Sequence, residues 1–173
     1  MFRTFTFNGG RRDYLMLYGQ IKRPAWAAVK RNPLTIPGRP GALNKRTDVD
    51  VRSLEVPIQF LETEMTIQEI TEDLAAWLVT DKPCPLILDN ELNRVYYAMI
   101  DGSIDFEEIA TLGKGVITFI CLDPYKYKTS SKFAYSTLEE DVHLLKIRNE
   151  GTERVSPVFE VQVDNDYTHI DIS

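Results

Sequence analysis

The chain has 173 residues, of which 43% are hydrophobic and 27% charged, and its formal net charge is −6 at pH 7. This composition is typical of a globular protein and argues against a largely disordered chain. The acidic balance argues against binding to the phosphate backbone of nucleic acids, which requires clustered Lys and Arg. The length suits one domain, or one domain with part of a second.

The chain opens with two short apolar segments separated by a turn. In the first segment Phe5 and Phe7 alternate with threonine, which is typical of a strand. The sequence Asn8-Gly9-Gly10 follows, and such residues adopt the positive φ angles of tight hairpin turns. A second apolar segment, YLMLY at residues 14–18, then leads to IKRP at residues 21–24.

A second turn-rich segment lies at residues 37–46, PGRPGALNKR. Its two prolines and two glycines predict a rigid loop. Arg39, Lys45 and Arg46 place three positive charges there on an otherwise acidic chain. We therefore expect this loop and the turn at residues 7–12 to lie at contacts between subunits. Plain surface loops are the alternative that these residues leave open.

Residues 53–60 predict a strand with one buried face, because the apolar residues alternate with the others. Pro57 lies within this strand and has no backbone N–H to donate. A proline in a strand is usually found at a sheet edge or in a bulge. We therefore predict that the strand lies at an edge of its sheet or contains a bulge.

One amphipathic helix is predicted. Thr66 and Glu69 match a capping box, in which each side chain bonds the backbone N–H of the other residue. Pro83 prevents continuation, so we expect the helix to end near Thr80. The apolar residues behind the cap have helical spacing: Ile67, Ile70, Leu74, Trp77 and Leu78.

The next segments predict a buried strand and a hairpin. Residues 95–100, VYYAMI, form the strand, and the hairpin runs out along residues 103–112 and returns along residues 116–122. Both faces of the returning strand are apolar, so we expect a central position in the sheet with cover on each face. Glu107 and Glu108 interrupt the alternation of the outgoing strand and predict a bulge.

Residues 123–131 are polar and read as a connector. Beyond the connector, apolar segments predict further short strands at residues 133–136, 142–147, 157–163 and 167–172. These strands either complete the first sheet or begin a second domain. The fold class predicted for the whole chain is mainly β (α+β), an antiparallel β-sandwich with one capped α-helix packed on it.

The residues give little support for catalysis or metal binding. His143 and His169 have no Cys or carboxylate at zinc-ligand spacing, and no serine lies in a G-x-S-x-G turn. Cys84 and Cys121 are interpreted as buried free thiols. We therefore predict no catalytic residues, no metal site and no cofactor.

Acidic residues can form calcium sites or glycosidase active sites. The pairs Asp48/Asp50 and Asp164/Asp166 do not fit the calcium loop of about 12 residues. A glycosidase would need two carboxylates facing one cleft, and only Asp105, beside Phe106, lies in an apolar setting that would raise a pKa. We expect no enzyme activity.

The order of these segments resembles the distal tail proteins of long-tailed (siphovirus-type) bacteriophages and prophages. FNG, IKRP and IPGRPG open the chain in the order seen in that family, and residues 52–61, the capped helix, PLILDNELNRVYYAMIDGSIDFEE and GVITFICLDPYKY follow. NEGT at residues 149–152, followed by PVF, resembles the start of the family's galectin-like second domain. The resemblance implies a ring-forming N-terminal domain at residues 1–128. Residues 129–173 would be a connector and β-hairpin, either starting the second domain or completing the first.

The resemblance also implies a function. Distal tail proteins form a hexameric ring at the tail tip, which joins the tail tube to the baseplate and host-adsorption apparatus and leaves a central channel for DNA. The implied partners are further copies of the chain, the tail tube, the tail-associated lysin or hub, and receptor-binding proteins. No membrane partner is implied, and DNA would only pass through the lumen.

The implied location is the virion tail tip, with assembly in the bacterial host cytoplasm. A short N-terminal segment without a long apolar core fits this expectation. The expected subunit-interface residues are Phe7, Asn8, Gly9, Pro37, Gly38, Arg39, Gly41, Lys45 and Arg46. The alternative function is a carbohydrate-binding or glycan-hydrolysing β-sandwich that would use exposed aromatics such as Tyr125 or Tyr127.

Overall fold

The computed structural model describes residues 3–103, 113–135, 137 and 146–162. The chain divides into two compact units, residues 1–131 and residues 132–173. The outgoing strand of the predicted hairpin, with its bulge at Glu107 and Glu108, lies outside the described residues. So does the strand predicted at residues 167–172.

Within the described part of the first unit there are nine strands and one helix. In chain order they are β1 (Phe5–Phe7), β2 (Leu15–Leu17), β3 (Val29–Leu34), β4 (Leu43–Val49), β5 (Arg52–Phe60), α1 (Ile67–Leu78), β6 (Cys84–Leu88), β7 (Arg94–Ile100), β8 (Lys114–Cys121) and β9 (Tyr127–Lys128). Strands β3 and β4 form a two-stranded sheet of their own, and the other seven form one larger sheet.

The larger sheet has the strand order β1-β6-β7-β8-β5-β2, and β9 pairs with β7. Every pairing is antiparallel. The longest ladder joins β5 to β8 without a break, from Arg52 opposite Cys121 to Gln59 opposite Lys114. A mostly β, antiparallel fold with one short helix confirms the fold class predicted from the sequence.

The two ends of this sheet come together. The Leu17 N–H on β2 donates to the Arg3 carbonyl beside β1 at 2.8 Å. The Phe5 ring on β1 lies edge-on to the Phe119 ring on β8, with centroids 5.7 Å apart. In a flat sheet three strand spacings would separate these residues by about 14 Å. The sheet therefore curls into a near-barrel around a single core.

Helix α1 packs its buried side chains, Leu74, Trp77 and Leu78, into that core. The Trp77 ring stacks on Phe5, with centroids 5.3 Å apart and planes 10° from parallel. Aromatic contacts of this kind add stability beyond the apolar area that they bury. The helix thus belongs to the same core as the strands.

The predicted helix is confirmed, including its cap. The Glu69 N–H donates to Thr66 Oγ1 at 3.3 Å, and the Thr66 N–H donates to Glu69 Oε2 at 2.7 Å. The helix ends at Leu78 with Val79 as C-cap. One residue of the predicted apolar stripe differs, because Ile67 in the first turn is 53% exposed.

The edge-or-bulge prediction for Pro57 is wrong. Strand β5 has partners on both sides, and its ladder to β8 has no register shift. The missing backbone N–H is tolerated because the backbone of Pro57 points towards β2 just beyond Leu17, where β2 ends. At that position Pro57 contributes only its carbonyl, which accepts a hydrogen bond from the Tyr18 N–H at 3.0 Å.

Strand β8 is central, as predicted, because it lies between β7 and β5. The prediction of cover on both faces is wrong for the described residues. Ile117, Phe119 and Cys121 are buried, whereas Val116 on the other face is 48% exposed. Curling of the sheet leaves its outer face towards solvent, so apolar residues there do not imply a second layer.

The second unit differs from its prediction. Residues 133–135 and 157–162, predicted as strands, have no strand assignment, and no helix or strand is present in the described part of residues 132–162. An alternating pattern makes a strand only where a partner supplies hydrogen bonds. A turn is present at Asn149, with the Gly151 N–H donating to Asn149 Oδ1 at 2.7 Å.

Candidate subunit-contact surfaces

Residues 29–49 form a β-hairpin, here called the arm, which the sequence reasoning did not predict. β3 pairs with β4 from Val29 opposite Val49 to Leu34 opposite Leu43, with one register shift between Asn32 and Pro33. The arm stands apart from the larger sheet and shares no ladder with it. Its base is closed by a hydrogen bond from the N–H of residue 50 to the carbonyl of residue 28.

The arm has almost no buried surface. All six residues of β3 are exposed, and only Asp48 in β4 is partly covered. This explains why the sequence pattern did not indicate strands, since alternation reports a buried face and the arm has none. The exposed apolar side chains of the arm are Val29, Leu34, Ile36, Leu43 and Val49.

The arm holds six of the nine predicted interface residues, four of them at its tip. Gly38 and Gly41 have φ angles of 80° and 81°, a region that favours glycine. A hollow of about 110 Å³ opens at this tip. Its lining residues are Leu34, Ile36, Arg39, Pro40, Gly41, Ala42 and Leu43. Pro37 lies in the same tip, and Lys45 and Arg46 lie on β4.

The arm is the basic part of an acidic chain. It contains five basic residues and one acidic residue, a formal charge of +4, whereas the remaining residues carry −10 of the total of −6. Lys30 pairs with Asp50 at 2.6 Å and Arg46 pairs with Asp48 at 2.5 Å. The other three, Arg31, Arg39 and Lys45, have no ion-pair partner among the described residues.

The second predicted contact region is the turn at residues 7–12, which lies between β1 and β2. Asn8 and Gly9 have φ angles of 47° and 74°, and Phe7 and Gly10 exchange backbone hydrogen bonds of 3.0 and 2.9 Å. This is the positive-φ turn that the sequence predicted. The Phe7 side chain is fully buried, so only Asn8 and Gly9 of the predicted residues present side chains or backbone to a neighbour.

Hydrogen bonds hold this turn and the residues after it against α1. The Trp77 Nε1–H donates to the Phe7 carbonyl at 2.9 Å, and a Cβ on Gly10 would lie 2.9 Å from Trp77 Nε1. The Arg12 guanidinium and the Tyr14 hydroxyl both donate to the Asp73 carboxylate. The Arg12 hydrogen bond is the main reason why the pKa of Asp73 is below its usual value, and burial is the main reason why the pKa of Tyr14 is raised.

An acidic surface lies on α1 and on the loop before it. Residues 53–81 contain seven acidic residues and no Lys or Arg. Exposed members of this group lie on the loop before α1 and on the helix itself: Glu62, Glu64, Glu69 and Glu72. None of these four has an ion-pair partner in the described parts of the chain. Together with the exposed Ile67, they are called the acidic surface below.

The other candidate residues give little evidence of a functional site. Cys84 and Cys121 are free and buried, as predicted, and burial raises the pKa of Cys121 to about 11. The described residues contain no cluster of three or more His, Cys, Asp or Glu placed to hold a metal. His143, His169 and Asp105 lie outside those residues.

One aromatic patch lies on the outer side of the first unit. The rings of Tyr97 and Tyr127 meet edge-on with centroids 5.8 Å apart, and Tyr125 is 38% exposed. The Tyr127 hydroxyl donates to Asp123 Oδ2 at 2.6 Å, which raises the pKa of Tyr127 to about 12. As for membranes, no helix within the described ranges has the length and apolar character needed to span one.

Comparison with solved structures finds a protein of similar fold. The solved structure of SPP1 Dit (gp 19.1), described as a paradigm of the hub adsorption apparatus in phages infecting Gram-positive bacteria, matches with a TM-score of 0.62 at 21% identity. The match covers 74% of this chain and 52% of that one, so the chain spans about half the length of that protein. A search of curated protein sequences finds no match.

The family comparison is more direct. The model of the phage tail protein RIFT-related domain matches residues 12–121, which include β2, the arm, α1 and β8. This region is more than half of the chain, and the match confirms the resemblance to phage tail proteins that was seen in the sequence. The protein therefore belongs to the phage tail protein RIFT-related domain family.

Proposed function

We propose that this protein is a distal tail protein, a non-enzymatic virion component that assembles into a hexameric ring at the tail tip. The ring would join the tail tube to the adsorption apparatus and surround a channel for DNA. The family match and the fold likeness to SPP1 Dit support the tail role. The observation that carries the ring is the arm, whose strands pair only with each other and are almost wholly exposed among the described residues.

An uncovered arm favours assembly for a physical reason. A two-stranded hairpin is marginally stable in water, and its open edges and exposed apolar side chains invite another surface. Five large apolar side chains of the arm are exposed, among them Leu34, Ile36 and Leu43 at or near the tip. Packing against a neighbouring copy would bury them, which provides the driving force for association.

A closed ring also requires a particular kind of contact. In a ring each copy presents one surface to the copy ahead and a different surface to the copy behind. The predicted interface residues belong to two different elements, the arm and the turn at residues 7–12. Two different elements suit such a head-to-tail contact better than a two-fold dimer, in which one patch meets itself.

The division of the chain fits the same role. We propose residues 1–128 as the ring-forming domain and residues 129–173 as the connector and the start of a second domain. The compact unit that ends at residue 131 supports this boundary. The tail tube, the hub or lysin and the receptor-binding proteins would then be the neighbours above, below and around the ring.

The test is the solution mass by light scattering, with negative-stain images of the same peak. A ring predicts about six times the monomer mass of 19.9 kDa and a particle with a central hole. A variant with residues 30–48 replaced by Asn-Gly shortens the arm to a two-residue turn between the paired Val29 and Val49. We expect that variant to be monomeric and folded. A shortened arm that still yields rings would contradict the proposal.

A glycan-binding module is the second candidate, and the aromatic patch of Tyr97, Tyr125 and Tyr127 is the observation that favours it. Sugar rings stack on exposed aromatic faces, so a ligand would change tyrosine fluorescence. A monomer at all concentrations that also responds to a glycan panel would favour this candidate. A ring without such a response would exclude it.

A further inference from the structure

We propose that the arm of one copy docks on the acidic surface of the next copy. This inference rests on the proposed ring and adds the identity of the surface that receives the arm. The partner is a second copy of this chain, and the contact pairs the basic arm with Glu62, Glu64, Glu69 and Glu72.

The placement of the two surfaces suits a head-to-tail contact. The arm leads directly into the first residue of β5, and the acidic loop begins directly after the last residue of β5. Nine residues of extended strand separate them by about 30 Å. The two surfaces thus lie at opposite ends of one strand, and the arm does not cover the acidic surface of its own chain, since both are exposed.

Charge complementarity identifies the acidic surface as the partner. Arg31, Arg39 and Lys45 on the arm lack ion-pair partners, as do the four carboxylates of the acidic surface, among the described residues. Bringing opposite unpaired charges together steers association and selects one register over others. No other described stretch of comparable length in unit 1 combines seven acidic residues with no basic residue.

Apolar contacts would accompany the charges. Ile67 is 53% exposed in the first turn of α1, on the helix that carries Glu69 and Glu72. The arm tip offers a hollow lined partly by Leu34, Ile36 and Leu43. Apolar contacts beside polar and charged ones are common in protein interfaces.

The turn at residues 7–12 supports the same assignment. It carries two basic residues, but Arg11 pairs with Asp89 at 2.9 Å and Arg12 is bonded to Asp73. Neither is therefore free to neutralise the acidic surface, although the turn lies against α1. The two predicted contact regions then become the two sides of one interface, with the arm on one copy and the turn-bordered helix on the other.

Charge reversal tests the pairing. The arm variant is Arg39→Glu with Lys45→Glu, the surface variant is Glu64→Lys with Glu72→Lys, and the combined variant carries all four changes. The matched control is Arg148→Glu with Arg154→Glu, an equal charge change at exposed sites in the second unit. We expect the arm and surface variants to be monomers, whereas the control and the combined variant form rings.

Mixing the two monomeric variants gives a sharper result. The surface variant retains a native arm, and the arm variant retains a native acidic surface, so these two surfaces can pair. The reversed arm and the reversed surface can also pair, as in the combined variant. The two variants can therefore alternate around a ring, and the mixture should form particles of about six times 19.9 kDa although each variant alone is monomeric. Light scattering on the mixture and on each variant alone measures this directly.

The outcomes separate the two proposals. If the native chain forms rings and the surface variant also forms them, the docking surface is wrong and the ring stands. If the combined variant remains monomeric while both single sets are folded by circular dichroism, the pairing is equally overturned. A native chain that stays monomeric at every concentration overturns the ring, and this inference with it.

Discussion

The interior of the near-barrel and the arm differ in the exposure of their apolar side chains. In the near-barrel, Phe5, Phe7 and Phe119 are fully buried and contact one another through their rings. In the arm, the apolar side chains of residues 29–49 face solvent. The near-barrel buries its apolar groups within one chain, whereas the arm leaves its apolar and charged groups exposed. We therefore expect substitutions in the near-barrel to lower the stability of the fold, and changes in the arm to lower assembly.

The largest effect is expected from Phe119→Ala in the core. Removing this ring leaves a cavity beside Phe5 and Phe7, and substitutions of this kind cost about 3–5 kcal/mol of unfolding free energy. Urea unfolding measures it, with Trp77 as the fluorescence reporter in a Trp26→Phe background, because Trp26 is 72% exposed. Val116→Ala on the same strand is the control and should cost little. Equal midpoints for the two variants would contradict the burial described here.

Gly10→Val should have the next largest effect. A Cβ at this position would lie 2.9 Å from Trp77 Nε1, so the turn must move away from α1 and weaken the bond from Trp77 to the Phe7 carbonyl. Overpacking of this kind costs about 2 kcal/mol. The same urea experiment measures it, and Gly10→Ala should cost less than valine. No difference from the native protein would show that the turn does not rest on the helix.

Thr66→Ala should cost about 1 kcal/mol, because it removes the acceptor for the Glu69 N–H at the start of α1. This loss should lower the unfolding free energy of the near-barrel, because α1 packs into its core. Thr63→Ala, in the loop just before the helix, is a control of the same chemistry outside the cap. A loss in the control as large as that in Thr66→Ala would rule out capping as the cause.

The Asp73 ion pair should make stability depend on acid pH. The pKa of Asp73 is lowered in the folded state, mainly by the Arg12 hydrogen bond, so its contribution is present above the unfolded pKa of about 4 and is lost as the pH falls through the folded value. The gain is at most about 1 kcal/mol, because the pair is partly exposed. Unfolding at pH 7 and pH 3 should show the native protein and Asp73→Asn converging at the lower pH. A constant gap between them would be inconsistent with this cause.

The smallest effect on stability is expected from shortening the arm. Replacing residues 30–48 by Asn-Gly removes no buried side chain, so the unfolding free energy should change by less than about 0.5 kcal/mol. The same variant is expected to lose assembly entirely. Urea unfolding of the variant and of the native chain below its assembly concentration makes the comparison. A large loss of stability would mean that the arm is part of the near-barrel after all.

The residues by themselves determined the local structure. The Asn8-Gly9 turn and the capped helix were predicted with their chemistry, because each depends on side chains within a few positions of one another. The family resemblance was also present in the sequence, as an ordered set of segments along residues 5–128. The turn residues and basic residues of two of these segments also indicated the regions proposed here as contacts.

Only the tertiary structure decided which elements are neighbours. The hydrogen bond from Leu17 to Arg3 closes the sheet, and the place where β2 ends allows Pro57 to lie inside it. The arm was missed because strand prediction depends on one face being buried, and no face of the arm is buried within its own chain. Burial is a property of the whole fold, which the local sequence pattern does not report. Local sequence therefore determined the turn and the helix, whereas long-range packing decided the near-barrel and left the arm uncovered.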